Sequence, residues 1–279
     1  MTLLDGKVVK KEMLEALKKE LEGEKTKPGL AVIQIGDDPA SKVYVKNKRT
    51  MAEDLGYTFE HIKLDENVSE EEVLKIIDEL NADDRFNGIL VQMPVPKQIN
   101  PKTVQNRINP SKDVDGLTDI NMGRLAHNED SLVPCTPAGI IDLLKYYGIE
   151  ISGKSVTIVG RSDLVGKPLA SLMTNHDATV SLCHSKTKNL KFYTENADIL
   201  VVAVGKAQLI KEDQVKEGAV IVDVGINRME DGKLLGDVDF EAVKDKVSYI
   251  TPVPGGVGQM TVAELAMNTY KAYKLAKKK

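Results

Sequence analysis

Apolar positions along this chain follow two periods, and the periods alternate. Met13, Leu14, Leu17 and Leu21 recur at the spacing of one helix face, and the unbroken apolar run GLAVIQI that follows reads as a buried strand. A Gly-Asp-Asp-Pro turn then feeds a helix that ends near Gly56, after which YTFEHIKL alternates like a strand. Ser69 and Glu72 form a capping box ahead of VLKIIDEL, and NGILVQMPVP closes the series. Repeated helix–strand units of this kind predict a parallel sheet with both faces covered.

Thr136 followed by Pro137, with Gly148 at the far end, marks a helix that bridges into a second series. There SVTIVG, ATVSLC, DILVVAVG, AVIVDVGI and VSYITPVP recur with helical segments between most of them, which predicts a second parallel sheet. The final segment, TVAELAMNTYKAYKLAKKK, predicts a helix with Val262, Leu265, Ala266 and Tyr270 on one side, packing back on the first domain. The expected fold is therefore α/β in two domains, residues 1–135 with 260–279 and residues 136–259.

Composition narrows the field without choosing a function. The chain has 279 residues, 42% hydrophobic and 29% charged, with a formal net charge of −4, and its lysines and glutamates are dispersed, so nothing favours a nucleic-acid or membrane surface. The basic end KAYKLAKKK reads as a solvated helix terminus. Cys135 and Cys183 are far apart and form no CxxC pair, which fits a reducing compartment and excludes a disulfide framework or thiol-based zinc site. The start MTLLDGKVVKKEM has no signal-peptide pattern, and no apolar run is long enough to span a bilayer, so a cytoplasmic protein is expected. His, Cys, Asp and Glu show no metal-ligand spacing, and no metal is expected. His61 and His127 read as structural or exposed, and His176 as a helix-end residue.

Candidate chemistry sits in four loops and one helix. GDDPASKVYVKNK places Tyr44 and Lys48 four positions apart on one helix face, at the carboxyl end of a strand where open α/β sheets hold ligands. The pair reads as a proton-handling phenol and amine, or as a surface lysine above a half-buried tyrosine. In IVGRSDLVGKPLASL, a strand, a glycine turn and a helix aim backbone N–H groups at a phosphate, although Gly160 and Gly166 do not make G-x-G-x-x-G. The next strand ends in Cys183, His184, Ser185, Lys186 and Thr187, without the acid that would accept from an NAD ribose. Arg161 and Ser185 suit a 2′-phosphate instead, which favours NADP. In DVDG, Asp113 reads as a turn-capping carboxylate. TPVPGGVGQMT suits either a plain connector or a fixed wall near a ligand.

Eight ordered blocks then resemble one family, the bifunctional methylenetetrahydrofolate dehydrogenase/cyclohydrolases of FolD type: YVKNK, ILVQMPVP, KDVDGL, PCTP, VGRSDLVGKP, CHSKT, VDVGIN and TPVPGGVG. The resemblance implies an N-terminal catalytic domain, a Rossmann-type NADP-binding domain and an active-site cleft between them. It places the catalytic lysine on Lys48, its tyrosine on Tyr44, its glutamine on Gln92 and its pterin-binding aspartate on Asp115, with Pro254, Gly255 and Gly256 also against substrate. Gly160, Arg161, Ser162, Gly166, Ser185, Gly205 and Ile226 would hold NADP. The implied reactions oxidise 5,10-methylenetetrahydrofolate to the methenyl form and hydrolyse that to 10-formyltetrahydrofolate, in a homodimer formed through the second domain. A monofunctional dehydrogenase and a non-catalytic NADP-binding module are the alternatives. Two positions depart from the family pattern: Gln259 stands where a proline is usual, and Thr50 where a second lysine is common.

Overall fold

The computed structural model describes residues 1–278. The chain begins β1 (Thr2–Leu3), α1 (Gly6–Glu22), β2 (Gly29–Ile35), α2 (Pro39–Leu55), β3 (Thr58–Leu64), α3 (Glu70–Ala82) and β4 (Gly88–Val91). Three helices follow, α4 (Pro101–Arg107), α5 (Asp119–Ala126) and α6 (Cys135–Tyr146). Next come β5 (Ser155–Val159), α7 (Gly166–Asn175), β6 (Thr179–Cys183), α8 (Leu190–Thr194), β7 (Ile199–Val202) and β8 (Val220–Asp223). The chain closes with β9 (Asn227–Arg228), β10 (Leu234–Leu235), α9 (Phe240–Val243), β11 (Tyr249–Ile250) and α10 (Val257–Ala276).

Two compact units result. One comprises Glu12–Cys135 with Val262–Lys279, the other Met1–Lys11 with Thr136–Thr261. The apolar pattern groups residues 1–11 with the first series of elements, whereas the structure groups them with the second. The cause is β1, whose two residues pair in parallel with β11, Thr2 against Tyr249 and Leu3 against Ile250. Two residues are too few to show a period.

The first unit is built on β2. Its seven residues are all buried, and it pairs in parallel with β3 on one side and β4 on the other. Because successive strand residues face opposite ways, Leu30 and Val32 join one core with Leu17 and Leu21 of α1, Val45 and Ala52 of α2, and Val262, Leu265, Ala266 and Tyr270 of α10. Ala31, Ile33 and Ile35 join the other, with Val73, Ile77 and Leu80 of α3. A strand serving two cores has no polar face, which is why its sequence is a continuous apolar run. The final helix packs in this core as its apolar stripe predicts, and the Tyr57 hydroxyl donates to the Ala266 carbonyl at 3.1 Å.

Local chemistry sets the helix limits. Pro39 opens α2, the Asp38 carboxylate accepts from the Ser41 N–H at 2.8 Å, and Gly56 closes the helix at φ +71°, where a side chain would be strained. In α3 the Ser69 hydroxyl accepts from the Glu72 N–H at 3.2 Å, and Glu70, Glu71 and Glu72 sit favourably against the helix dipole.

The second unit holds a parallel sheet in the order β1-β11-β8-β7-β5-β6. β5 is flanked by β6 on one side and β7 on the other. The strand order thus reverses beside β5, and the loops leaving β5 and β7 diverge at the position where such sheets bind ligands. The antiparallel hairpin of β9 and β10, which turns near Gly232 at φ +84°, has strands of two residues each, too short to show a period.

Ile77 is fully buried beneath β2. Ile77→Ala is expected to cost about 3 kcal/mol, read as a lower urea midpoint for the unit's unfolding by circular dichroism.

Candidate active site

Helix α2 presents Tyr44 and Lys48 one turn apart. Tyr44 is 47% exposed, whereas Lys48 is partly buried and its ammonium donates to Gln92 Oε1 at 2.8 Å. Gln92 continues the edge of β4, its N–H donating to the Ile33 carbonyl at 2.8 Å. Its amide nitrogen donates to the Met93 carbonyl at 2.8 Å, so the amide oxygen is the atom turned to the lysine. Ser41, in the first turn of α2, donates to the same Met93 carbonyl at 3.4 Å. Helix and strand end are thereby tied together on either side of the Lys48 amine.

The loop after α4 brings in two acids with different work. Asp113 is buried and accepts from the Thr118 N–H at 2.8 Å and the Asn121 amide at 2.9 Å, so it holds the turn, as its place before a glycine suggests. Gly116 has φ +69°, and a side chain there would come within 2.5 Å of the Val133 backbone. Asp115 lies between these fixed points. Asn268 of α10 donates to the Val114 carbonyl at 3.0 Å and the Val133 carbonyl at 2.8 Å, clamping the loop from beneath. The Cys135 thiol donates to the Val114 carbonyl at 3.3 Å and adjoins the Asp115 carboxyl.

Electrostatically, Lys48 and Asp115 form a pair. Burial pushes the Lys48 pKa below the ordinary lysine value, while the charge of Asp115 and the nearby Cys135 oppose that shift. Burial pushes the Asp115 pKa up, opposed by the charge of Lys48 and reinforced by Asp113. Cys135 is raised well above an ordinary thiol, first by burial and then by the charges of Asp115 and Glu264. It is a neutral donor and not a nucleophile. Sequence reasoning passed over Cys135 and Asn268. The signal available was a polar residue, Asn268, amid the apolar stripe of α10.

The other unit holds the remaining predicted residues. Gly160 ends β5 at φ +125°, where a side chain would meet the Ala203 carbonyl within 2.2 Å, and one on Gly166 would meet the Gly160 carbonyl within 2.0 Å. These contacts press the turn onto the start of α7, whose N-cap residue Val165 supplies no side-chain acceptor. Arg161 and Ser162 are exposed beside that helix start, as is Ser185 in the turn after β6. A close backbone turn, open N–H groups and an exposed guanidinium fit a dinucleotide phosphate. Gly205 follows β7 at φ +66°, and Ile226 follows β8 with its side chain 49% exposed, an apolar surface suited to a flat ring. Pro254, Gly255 and Gly256 also lie in this unit. The Gly255 carbonyl accepts from the Gly6 N–H at 3.0 Å, so the loop is braced by the chain's own N-terminal residues. Tyr44, Lys48, Gln92 and Asp115 all belong to the first unit. Among the described residues, no group of three or more His, Cys, Asp and Glu is arranged to hold a metal ion.

Asn268→Leu removes the Asn268 donor from the Val133 carbonyl and leaves the Val114 carbonyl with only the Cys135 thiol, and is expected to cost about 2 kcal/mol. A fall in the denaturation midpoint larger than that of the exposed control Thr50→Ala checks it.

Known proteins resemble this chain over nearly its whole length. Residues 4–115 match the model of the tetrahydrofolate dehydrogenase/cyclohydrolase catalytic domain, and residues 134–277 that of the family's NAD(P)-binding domain. The bifunctional protein FolD of Bacillus subtilis (strain 168) is 54% identical over 276 residues, 98% of each chain. That of Aquifex aeolicus is 54% identical over 277 residues, covering 98% of this chain and 95% of its own. The crystal structure of the bifunctional FolD enzyme from Campylobacter jejuni superposes with a TM-score of 0.97 at 48% identity, over 99% of both chains. The Trypanosoma brucei FolD, solved with NADP cofactor and inhibitor, gives 0.94 at 34% identity, over 100% of this chain and 99% of that one. The chain belongs to the tetrahydrofolate dehydrogenase/cyclohydrolase family.

Proposed function

We propose that Lys48, Gln92, Asp115 and Tyr44 carry both reactions of this family in this chain: oxidation of 5,10-methylenetetrahydrofolate to the methenyl form, then hydrolysis to 10-formyltetrahydrofolate. The observation that carries the assignment is the Lys48–Gln92 hydrogen bond at 2.8 Å, set against a half-buried Asp115 that shares the lysine's field. Asp115 accepts from the pterin amino and ring N–H groups, which are paired donors of the kind a carboxylate matches. Tyr44 lays its exposed ring against the flat substrate.

Bound NADP supplies the hydride acceptor for the first reaction, held by Gly160, Arg161, Ser162, Gly166, Ser185, Gly205 and Ile226. In the second, water adds to the cationic methenyl carbon while the neutral Lys48 amine takes one of its protons. The bond from that carbon to N5 breaks, N5 gains the second proton, and the water oxygen becomes the formyl carbonyl on N10. Gln92 holds Lys48 by its amide oxygen, which keeps the amine in place whether or not it is protonated. Pro254, Gly255 and Gly256 wall the substrate. The protein acts as a cytoplasmic homodimer in this reading, and no helix of the described residues is long and apolar enough to cross a membrane.

Absorbance at the methenyl band, after adding methylenetetrahydrofolate with NADP, tests the assignment. The native chain should produce methenyl-tetrahydrofolate and speed its decay, and Lys48→Met should abolish the accelerated decay by at least about 10²-fold. Oxidation without accelerated decay in the native chain would leave a monofunctional dehydrogenase, and no turnover would leave a binding module.

The pH profile carries a sign. A base is active when deprotonated, so hydrolysis should rise with pH through a midpoint below the ordinary lysine value of ~10.4. Asp115 raises that midpoint, so Asp115→Asn should move the limb to lower pH while weakening substrate binding. An unmoved limb in Asp115→Asn would exclude Lys48 as the titrating base.

A further inference from the structure

A buried polar cluster outside the Lys48 site lies in the other unit. Asp223 ends β8 and Asp237 follows β10, 4% and 0% exposed respectively. Asp237 Oδ2 accepts from the Val204 N–H at 2.7 Å and the Gly205 N–H at 2.9 Å. Its Oδ1 accepts from the Lys206 N–H at 2.8 Å and the Asn227 side-chain amide at 2.9 Å. Three consecutive backbone N–H groups therefore converge on one carboxylate, the arrangement that elsewhere receives an anion from solvent. Here the anion is built in.

Asp223 anchors the anchor. Its Oδ1 accepts from the N–H groups of Asp237 at 2.9 Å and Gly225 at 3.0 Å, and its Oδ2 from that of Val238 at 2.8 Å. The packing is tight enough to dictate glycine on both sides. A side chain at Gly225 would sit 2.2 Å from Asp237 Oδ1, and one at Gly236 would sit 1.8 Å from Asp223 Oδ2.

The segments so joined are the loop after β7, with Gly205, and the loop after β8, with Ile226. Both loops leave the carboxyl ends of their strands. We propose that Asp237 is a positioning residue for the cofactor: it fixes the Val204–Lys206 turn and, through Asn227, the Ile226 loop in the shape that receives NADP. The inference rests on the assignment of Gly205 and Ile226 to the cofactor. Asp237 does not itself touch NADP. Its carboxylate replaces the water that would otherwise solvate three N–H groups, so the turn is set before the cofactor arrives and less ordering accompanies binding.

The experiment uses the full-length chain with three variants, Asp237→Asn, Asn227→Ala and Ile226→Ser. Two readouts are taken without turnover: amide hydrogen exchange of residues 204–206 in the cofactor-free protein, and NADPH affinity by fluorescence titration. Hydrolysis of methenyl-tetrahydrofolate without NADP reports whether the fold is intact. In Asp237→Asn the amide nitrogen must face two N–H donors. Exchange at residues 204–206 and the NADPH dissociation constant should each rise about tenfold, and about threefold in Asn227→Ala, with hydrolysis within about twofold of native.

If Asp237→Asn loses hydrolysis and so fails to fold, the milder Asn227→Ala decides alone. Faster exchange with unchanged NADPH affinity would reduce Asp237 to a structural residue and overturn the proposal. Unchanged exchange in Asn227→Ala and Asp237→Asn would overturn it as well. Ile226→Ser separates the two layers: if it leaves NADPH affinity unaltered, the assignment of these loops to the cofactor is what has failed. If it weakens affinity while the other two variants do not, the positioning role has failed.

Discussion

The site depends on the competition between burial and charge at Lys48. Desolvation drives the lysine toward its neutral amine, and the same desolvation drives Asp115 toward its neutral acid. Their mutual attraction pulls both back toward the ion pair. Burial is the larger effect on both groups, while Gln92 fixes the amine by a hydrogen bond and the Cys135 thiol adjoins the carboxyl. In the proposed hydrolysis, a cationic substrate beside the amine would add repulsion to the burial already present and favour the neutral base.

Two solutions to holding a loop are used in the two units. In the first, neutral groups clamp the loop from beneath while the Asp113 carboxylate holds its turn: Asn268 donates to two backbone carbonyls, and the Cys135 thiol donates to one of them. Acceptors without donors are satisfied by a side chain reaching out of a helix. In the second, buried carboxylates gather backbone N–H groups at Asp223 and Asp237. The choice follows from which backbone groups the local turn leaves unpaired. Charge is also economical there, since one carboxylate accepts from as many as four donors. The cost appears at Asp223, whose pKa burial pushes up to about 6 despite the N–H groups that favour its charged form.

Much of this was legible from residues alone, for physical reasons that also explain the gaps. β2 announced itself because a strand buried on both faces must be apolar throughout, and α2 because proline and glycine bound it. The four-residue Tyr44–Lys48 spacing places both side chains on one helix face. What stayed hidden was non-local. β1 pairs with β11 across most of the chain, so residues 1–11 join the second unit for a reason no short window contains. Asn268 and Cys135 act through contacts to Val114, more than twenty and one hundred and fifty positions away in sequence respectively for the cysteine and the asparagine. Asp237 belongs to no motif, and its contacts to residues 204–206 reach more than thirty positions along the chain.

The two departures from the family's usual pattern differ in consequence once their surroundings are known. Thr50 is exposed on α2, and two positions along a helix turn a side chain roughly 200° from Lys48, so its hydroxyl points away from the amine. A lysine there would add charge to the helix's outer surface and little to the Lys48 field, which water screens at that distance. Gln259 sits in the first turn of α10, where its N–H donates to the Gly256 carbonyl at 3.1 Å. A proline has no such proton and would instead stiffen the turn by fixing φ. Its side-chain oxygen also accepts from Lys10 at 3.4 Å, tying the turn to α1. The glycine-rich loop that leads into α10 is thus restrained by hydrogen bonds where a proline would restrain it by its ring. Restraint of this turn is kept by a different means.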